Sequence, residues 1–295
     1  MSFKDFLTEI VNQIPEYLLQ YNIDEVHTEK VTKNNGVSFT GMAICIKGEN
    51  VSPNIYMEYY YELYCKGFSM EALLNMIKEE YIRARTRLEG KQYEDFNLDD
   101  VDNCLFIRLV NYEKNKEYLT DCPYIPFLDL AVTFRYIAKL SDEGIASVSV
   151  RNKDIKRWNL SVEELYDIGL KNTITLFPPR IDKLENLLRE FVPGSHSIPE
   201  SSGKLFVLTN DRGINGATYM VYKDIIREFA MEQKRDIFIL PSSIHEVILL
   251  PKEDGMDKTE LMEIVKEAND FTVSKQDFLS ENVYFYDLKS DDIRL

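Results

Sequence analysis

A chain of 295 residues, 44% hydrophobic and 29% charged, can bury about three-quarters of the surface its unfolded form exposes, which excludes wholesale disorder. Against 35 basic residues stand 50 acidic ones, a net charge of −15, so nucleic acid and anionic membrane surfaces are excluded as partners on electrostatic grounds. Cys45, Cys65, Cys104 and Cys122 have neither the spacing of a zinc site nor the density of a secreted disulfide scaffold, and they read as free thiols in a reducing compartment.

Along the chain, Phe3, Phe6, Leu7, Ile10, Val11, Ile14 and Leu18 recur at helical spacing, with Pro15 expected to bend or divide the helix. This N-terminal stretch has no uninterrupted apolar core and no cleavage signal, and no run anywhere approaches the roughly 18 apolar residues of a membrane span. The expected location is the cytoplasm. Val26 to Lys33 and Val37 to Ile46 alternate about Asn34-Asn35-Gly36, a β-hairpin pattern. The tyrosines of residues 55–65 fit core packing better than stacking on a planar ligand. Ser69 is placed to cap a helix carrying Leu73, Leu74, Ile77, Tyr81 and Ile82. The basic runs Arg83 to Arg87 and Lys153 to Arg157 read as solvated faces.

Residues 103–111 read as a strand and Cys122 to Pro126 as a rigid loop. A second hairpin is expected from 128–140 and 145–150 across Ser141-Asp142-Glu143-Gly144. Ser161 and Glu164 form a capping box opening a helix to about Leu170. Pro178-Pro179 then breaks the chain before a helix expected over 181–191. Residues 193–203 have linker composition, which divides the chain into a mixed α+β region, 1–195, and a C-terminal α+β domain, 204–295. In the latter the order is strand (204–209), helix (217–233), strands (236–240 and 245–250), helix (258–270) and strand (282–288). The fold class is therefore α+β, with an N-terminal helix and hairpin region and a C-terminal β-α-β-β-α-β sheet domain. That order fits the split βαβ arrangement of ferredoxin-like sheets, and also a three-layer or profilin-like sheet.

The functional signal concentrates between Lys204 and Pro251. Two polar clusters follow apolar runs there: Asn210-Asp211-Arg212-Gly213, continuing to Gly216, and Ser242-Ser243-Ile244-His245-Glu246. His245-Glu246 invites a zinc-protease reading, but Leu249 stands where the second histidine is needed. With His27 and His196 the only other histidines, a histidine-rich metal site is excluded. Asp99-Asp100-x-Asp102 lacks the glycine and terminal glutamate of a calcium loop, and the glycines of DRGINGA match no phosphate-binding loop. No cofactor is expected. Ser242 or Ser243 with His245, and Asp211 or Glu246 as the acid, would make a hydrolase constellation, though without the GxSxG elbow.

The segments LTNDRGINGATYM (Leu208 to Met220) and LPSSIHEVILLP (Leu240 to Pro251), with WNLSVEELYDIGLKNTITLFPP (Trp158 to Pro179), resemble a bacterial family of unknown function typical of Gram-positive gut anaerobes. The resemblance implies no activity, substrate or cofactor. It marks Asn210, Gly213, Gly216, Ser242, Ser243, His245 and Glu246 as motif positions.

Two functions are therefore expected. The first is a non-enzymatic module binding a protein or small molecule through Asn210, Asp211, Gly213, Gly216, Ser242, Ser243, His245 and Glu246. The second is a serine/histidine-dependent hydrolase. A serine oxygen within about 3.2 Å of an imidazole nitrogen, in a concave pocket, would favour the hydrolase.

Overall fold

A computed structural model describes residues 1–49, 52–86, 101–141, 144–191 and 205–295. By contact the chain divides into two compact units, Met1–Lys33 with Val37–Phe96, and Asn34–Gly36 with Asn97–Leu295.

The first unit begins with α1 (Phe3–Tyr17), capped where the Ser2 hydroxyl accepts the Asp5 N–H. Pro15 falls in its last turn, so it ends the helix rather than dividing it. Strands β1 (Ile23–Thr32) and β2 (Ser38–Ile46) pair antiparallel, and β3 (Asn54–Tyr56) adds beside β2. Asn35 at φ 59° and Gly36 at φ 68° supply the left-handed turn that the sequence implied. Helices α2 (Met57–Cys65) and α3 (Met70–Thr86) follow, the latter capped where the Ser69 hydroxyl accepts the Ala72 N–H. Phe6, Ile10, Ile14, Met42, Ile44, Leu74, Ile77 and Tyr81 form the core. Tyr61 and Tyr64 pack tilted against Phe6 at ring distances of 5.4 and 5.5 Å, so they are packing residues.

The second unit holds two sheets. Helix α4 (Val101–Cys104) leads into β4 (Leu105–Asn111); α5 (Lys116–Leu119) precedes β5 (Tyr124–Phe127), β6 (Leu130–Ser141) and β7 (Gly144–Ser149). Central β6 pairs antiparallel with β4, β5 and β7. The loop expected at Cys122 to Pro126 is thus corrected in part to an edge strand, where Pro126 need not donate to the ladder. The turn residues 142–143 of the second hairpin lie outside the described residues, as do 99–100 of the acidic cluster.

After α6 (Asn152–Trp158) comes α7 (Val162–Leu176), whose Ser161–Glu164 capping box forms as its sequence requires. Residues 181–183, expected to begin a helix, instead belong to β8 (Pro179–Lys183), and α8 starts only at Leu184 (Leu184–Phe191). The reason is tertiary: β8 finds a partner in β9 (Phe206–Asn210), with Ile181 opposite Leu208. The remaining elements are α9 (Lys223–Gln233), β10 (Ile237–Pro241), β11 (Val247–Pro251), α10 (Lys258–Thr272), β12 (Tyr284–Asp287) and β13 (Asp292–Arg294).

The six-stranded sheet runs β13-β12-β10-β11-β9-β8, every neighbour antiparallel. Strand β11 lies between β9 and β10, which keeps a split βαβ unit. The strand after α10, β12, joins β10 rather than β9, so the closing pairing of a ferredoxin-like sheet is absent among the described residues. The contact division also differs from the one composition suggested. Residues 192–204 lie outside the described residues, and β8 before them shares a sheet with β9 after them.

Leu105, Ile107, Val132 and Phe134 from one sheet share a core with Leu208, Ile237, Ile239, Val247 and Leu249 from the other. The opposite face of the six-stranded sheet presents Phe238, Leu240 and Leu250 to Val265 of α10. No helix among the described residues is long and apolar enough to cross a membrane. Leu249 is fully buried on β11. Truncating it leaves a cavity in a close-packed layer, so Leu249→Ala is expected to lower the free energy of unfolding by about 2–5 kcal/mol. Urea titration checks this; a midpoint within error of wild type would contradict the shared core.

Candidate functional site

Strand β9 ends at Asn210, which is buried and organises the turn that follows. Its side-chain oxygen accepts the N–H groups of Arg212 (3.1 Å) and Ile214 (3.4 Å). Its amide donates to the Ile214 carbonyl (2.8 Å) and the Tyr219 hydroxyl (3.3 Å). Gly213 at φ 62° and Asn215 at φ 55° take the left-handed conformations that complete the turn. Burial pushes the Tyr219 hydroxyl up to about 12, against the hydrogen bond from Asn210. The Tyr219 hydroxyl donates in turn to the Phe177 carbonyl, tying the turn to the end of α7.

The chain then docks on the β10–β11 hairpin loop. The Gly216 N–H donates to the His245 carbonyl at 2.8 Å and the Ala217 N–H to the Ile244 carbonyl at 3.3 Å. The Thr209 hydroxyl donates to the same His245 carbonyl at 3.0 Å. A Cβ on residue 216 would stand 2.4 Å from that carbonyl oxygen and 2.6 Å from the Thr209 Cα. Only glycine permits this approach. The two polar clusters are thus side by side at one end of the sheet.

Within the hairpin loop, the Ser243 hydroxyl donates to the Glu246 carboxylate (2.8 Å) and accepts the His245 N–H (2.9 Å). His245 Nδ1 accepts the Asn215 N–H at 3.2 Å, which places the proton of the neutral imidazole on Nε2. Nε2 lies 3.4 Å from the Asp277 carboxylate. Both ring nitrogens therefore have partners, and among the described residues no serine hydroxyl bonds to either. The geometry asked of a Ser-His pair is absent.

The eight candidate residues now separate by what their polar atoms touch. Asn210, Gly216, Ser243 and His245 spend their hydrogen bonds, or their lack of a Cβ, on holding two turns together. Asp211 is exposed at the tip of its turn. Asn210, Gly213, Ser242 and Glu246 border a groove of about 370 Å³. Val207 and Ile248 of the sheet and Leu184 and Leu187 of α8 give the groove its apolar lining, and Arg180 of β8 joins the polar rim. Arg180 pairs with Asp182 at 3.0 Å. Sequence reasoning missed Arg180, Leu184 and Leu187 because they precede the linker; the i, i+3 leucine pair on α8 was the available signal. Among the described residues no group of three or more His, Cys, Asp or Glu side chains could hold a metal ion.

Three substitutions test this architecture. Gly216→Ala forces a methyl group into backbone atoms and is expected to cost about 1–3 kcal/mol or more. Ser243→Ala leaves the His245 N–H and a Glu246 oxygen without their partner, at about 1–3 kcal/mol. Asp211→Ala should stay within about 0.5 kcal/mol of wild type. Thermal and denaturant unfolding read all three, and wild-type stability of G216A would refute the close approach.

No curated protein and no solved structure matches the chain. A family model described as a family of unknown function, DUF5688, matches residues 3–288, which include both polar turns, the groove and nearly all of each unit. The chain therefore belongs to DUF5688, a family of unknown function.

Proposed function

We propose that the protein is a non-enzymatic binding module that takes a small amphipathic molecule into the groove between β9, β11 and α8. One observation carries this reading: the groove joins an apolar lining to a rim of turns held by their own hydrogen bonds. Its volume of about 370 Å³ lies within the range of small-ligand sites. A ligand would rest its apolar body on Leu184, Leu187, Val207 and Ile248, and its polar end near Arg180, Ser242 and Glu246. Asn210, Gly216, Ser243 and His245 act as positioning residues, because preorganised turns lower the entropic cost of binding. In this reading Leu208–Met220 and Leu240–Pro251 are shared motifs of a bacterial, cytoplasmic family, and the motif secures the groove's rim.

The hydrolase reading is weaker on chemical grounds. A general base needs a free lone pair, and His245 Nδ1 has already accepted a backbone N–H. Native mass spectrometry of the purified protein is expected to find a bound small molecule, absent from an Ile248→Trp variant of unchanged melting temperature. An empty wild-type protein that also fails to bind any member of an amphipathic fragment library would sink the ligand reading. A fluorophosphonate probe is expected to label neither Ser242 nor Ser243; labelling abolished by His245→Ala would replace this proposal with the hydrolase.

A further inference from the structure

The outer face of the four-stranded sheet carries two arginines. On β4 and β6, alternation sends Leu105, Ile107, Leu109, Val132 and Phe134 into the core. The same alternation puts Arg108 and Arg135 together on the opposite face. Arg108 lies opposite Thr133 and Arg135 opposite Phe106, so the two are diagonal neighbours on adjacent strands, with Cβ atoms roughly 7–8 Å apart or less.

Arg135 is rigidly placed. Its Nε donates to the Ser147 hydroxyl (2.9 Å), one Nη to the Ser149 hydroxyl (2.9 Å) and the other to the Ser147 carbonyl (2.7 Å). A guanidinium has five N–H donors, so two remain. Arg108 donates from one Nη to the Asn34 side-chain oxygen at 3.2 Å, and its buried Nε has no hydrogen-bond partner. The buried Tyr118 hydroxyl makes no well-formed hydrogen bond, with the Ser149 hydroxyl and the Cys122 thiol as its nearest polar neighbours.

Charge makes the arrangement unusual. Among the described residues neither guanidinium has a carboxylate within 4.0 Å, in a chain of net charge −15. The nearby acids are engaged elsewhere: Asp277 with the Ser274 hydroxyl (2.7 Å) and His245, and Asp121 with Arg151 (3.6 Å). Burial, and then repulsion from Arg135, push the Arg108 guanidinium down to about 10. Arg108, Arg135 and Tyr118 each keep part of their surface open to solvent, while the Arg108 Nε and the Tyr118 hydroxyl themselves are covered, so an oxyanion enters from the exposed edge of the group.

We propose that Arg108, Arg135 and Tyr118 form a binding site for a phosphate-type oxyanion, either free phosphate or a phosphomonoester. Two uncompensated positive charges in a poorly solvated place call for a dianion. A phosphate group carries about −1.5 to −2 near neutral pH, whereas a carboxylate neutralises only one of the two. The planar N–H edge of Arg108, including its unused Nε, suits two phosphate oxygens at once. The Tyr118 hydroxyl and the spare donors of Arg135 can hold the others.

Calorimetric titration of the full-length protein at constant ionic strength, with inorganic phosphate, phenyl phosphate and acetate as separate probes, tests the site. Saturable binding of phosphate or the ester at millimolar concentration or below is expected, with a concentration-dependent rise in melting temperature. The tighter of the two identifies the source. Arg108→Met is expected to weaken binding roughly tenfold or more, from the loss of charge-assisted hydrogen bonds. Absence of binding by the wild-type protein overturns the proposal whether or not the variant folds. Acetate binding as tightly as phosphate, or a folded R108M that binds like wild type, overturns it equally.

Discussion

The Gly216 N–H and the His245 carbonyl meet at 2.8 Å, and the rest of the C-terminal architecture is built around that contact. It brings the segment after β9 against the loop between β10 and β11; β9 pairs directly with β11 and reaches β10 only through it. The Thr209 hydroxyl reaches the same carbonyl, and Asn215 closes the arrangement from the His245 imidazole. No side chain fits at residue 216, because a Cβ would fall inside the contact distance of two backbone atoms. A glycine in a loop near a sheet end suggests a phosphate cradle, yet this one serves an approach of chain to chain.

That contact changes the chemical reading of the motif. Asn210, Ser243 and His245 are polar groups of the kind that mark a catalytic centre, but their donors and acceptors are largely satisfied by one another and by the backbone around them. Buried polar groups without partners are costly, so a turn that must be both buried and polar fills its own hydrogen bonds. What this leaves for a ligand is the surface the turns support. The groove of about 370 Å³ takes its polar rim from the motif and its apolar wall from α8, which lies far upstream in sequence.

The contrast with Arg108 and Arg135 is instructive. Around His245 both ring nitrogens, the N–H and the carbonyl have partners, whereas on the outer face of the four-stranded sheet a buried guanidinium nitrogen is left over and a buried phenol hydroxyl makes no well-formed hydrogen bond. A matched network stiffens a fold, and an unmatched one in the same fold is where an external group would gain most from binding. The two places are linked through one loop. Asp277 sits beside the His245 imidazole, and its negative charge also acts on Arg108.

Much of the local structure was legible in sequence, because it is set by chemistry within a few residues. Ser69 and Ser161 cap helices, Asn34-Asn35-Gly36 turns a hairpin, and residues 205–287 keep the order read from their periodicity. The errors have one cause. Pro179 to Lys183 and Tyr124 to Phe127 are strands only because an open sheet edge lies beside them, and local propensity carries no information about such an edge. Strand order, the joining of β8 to β9 across residues 192–204 and the separation of motif residues into supports and rim were likewise decided in three dimensions. The sequence by itself determined an acidic α+β chain with two polar turns worth attention. Only tertiary structure decided what those turns touch, since a hydrogen bond between residues 30 or more apart is fixed by the packing of the whole sheet.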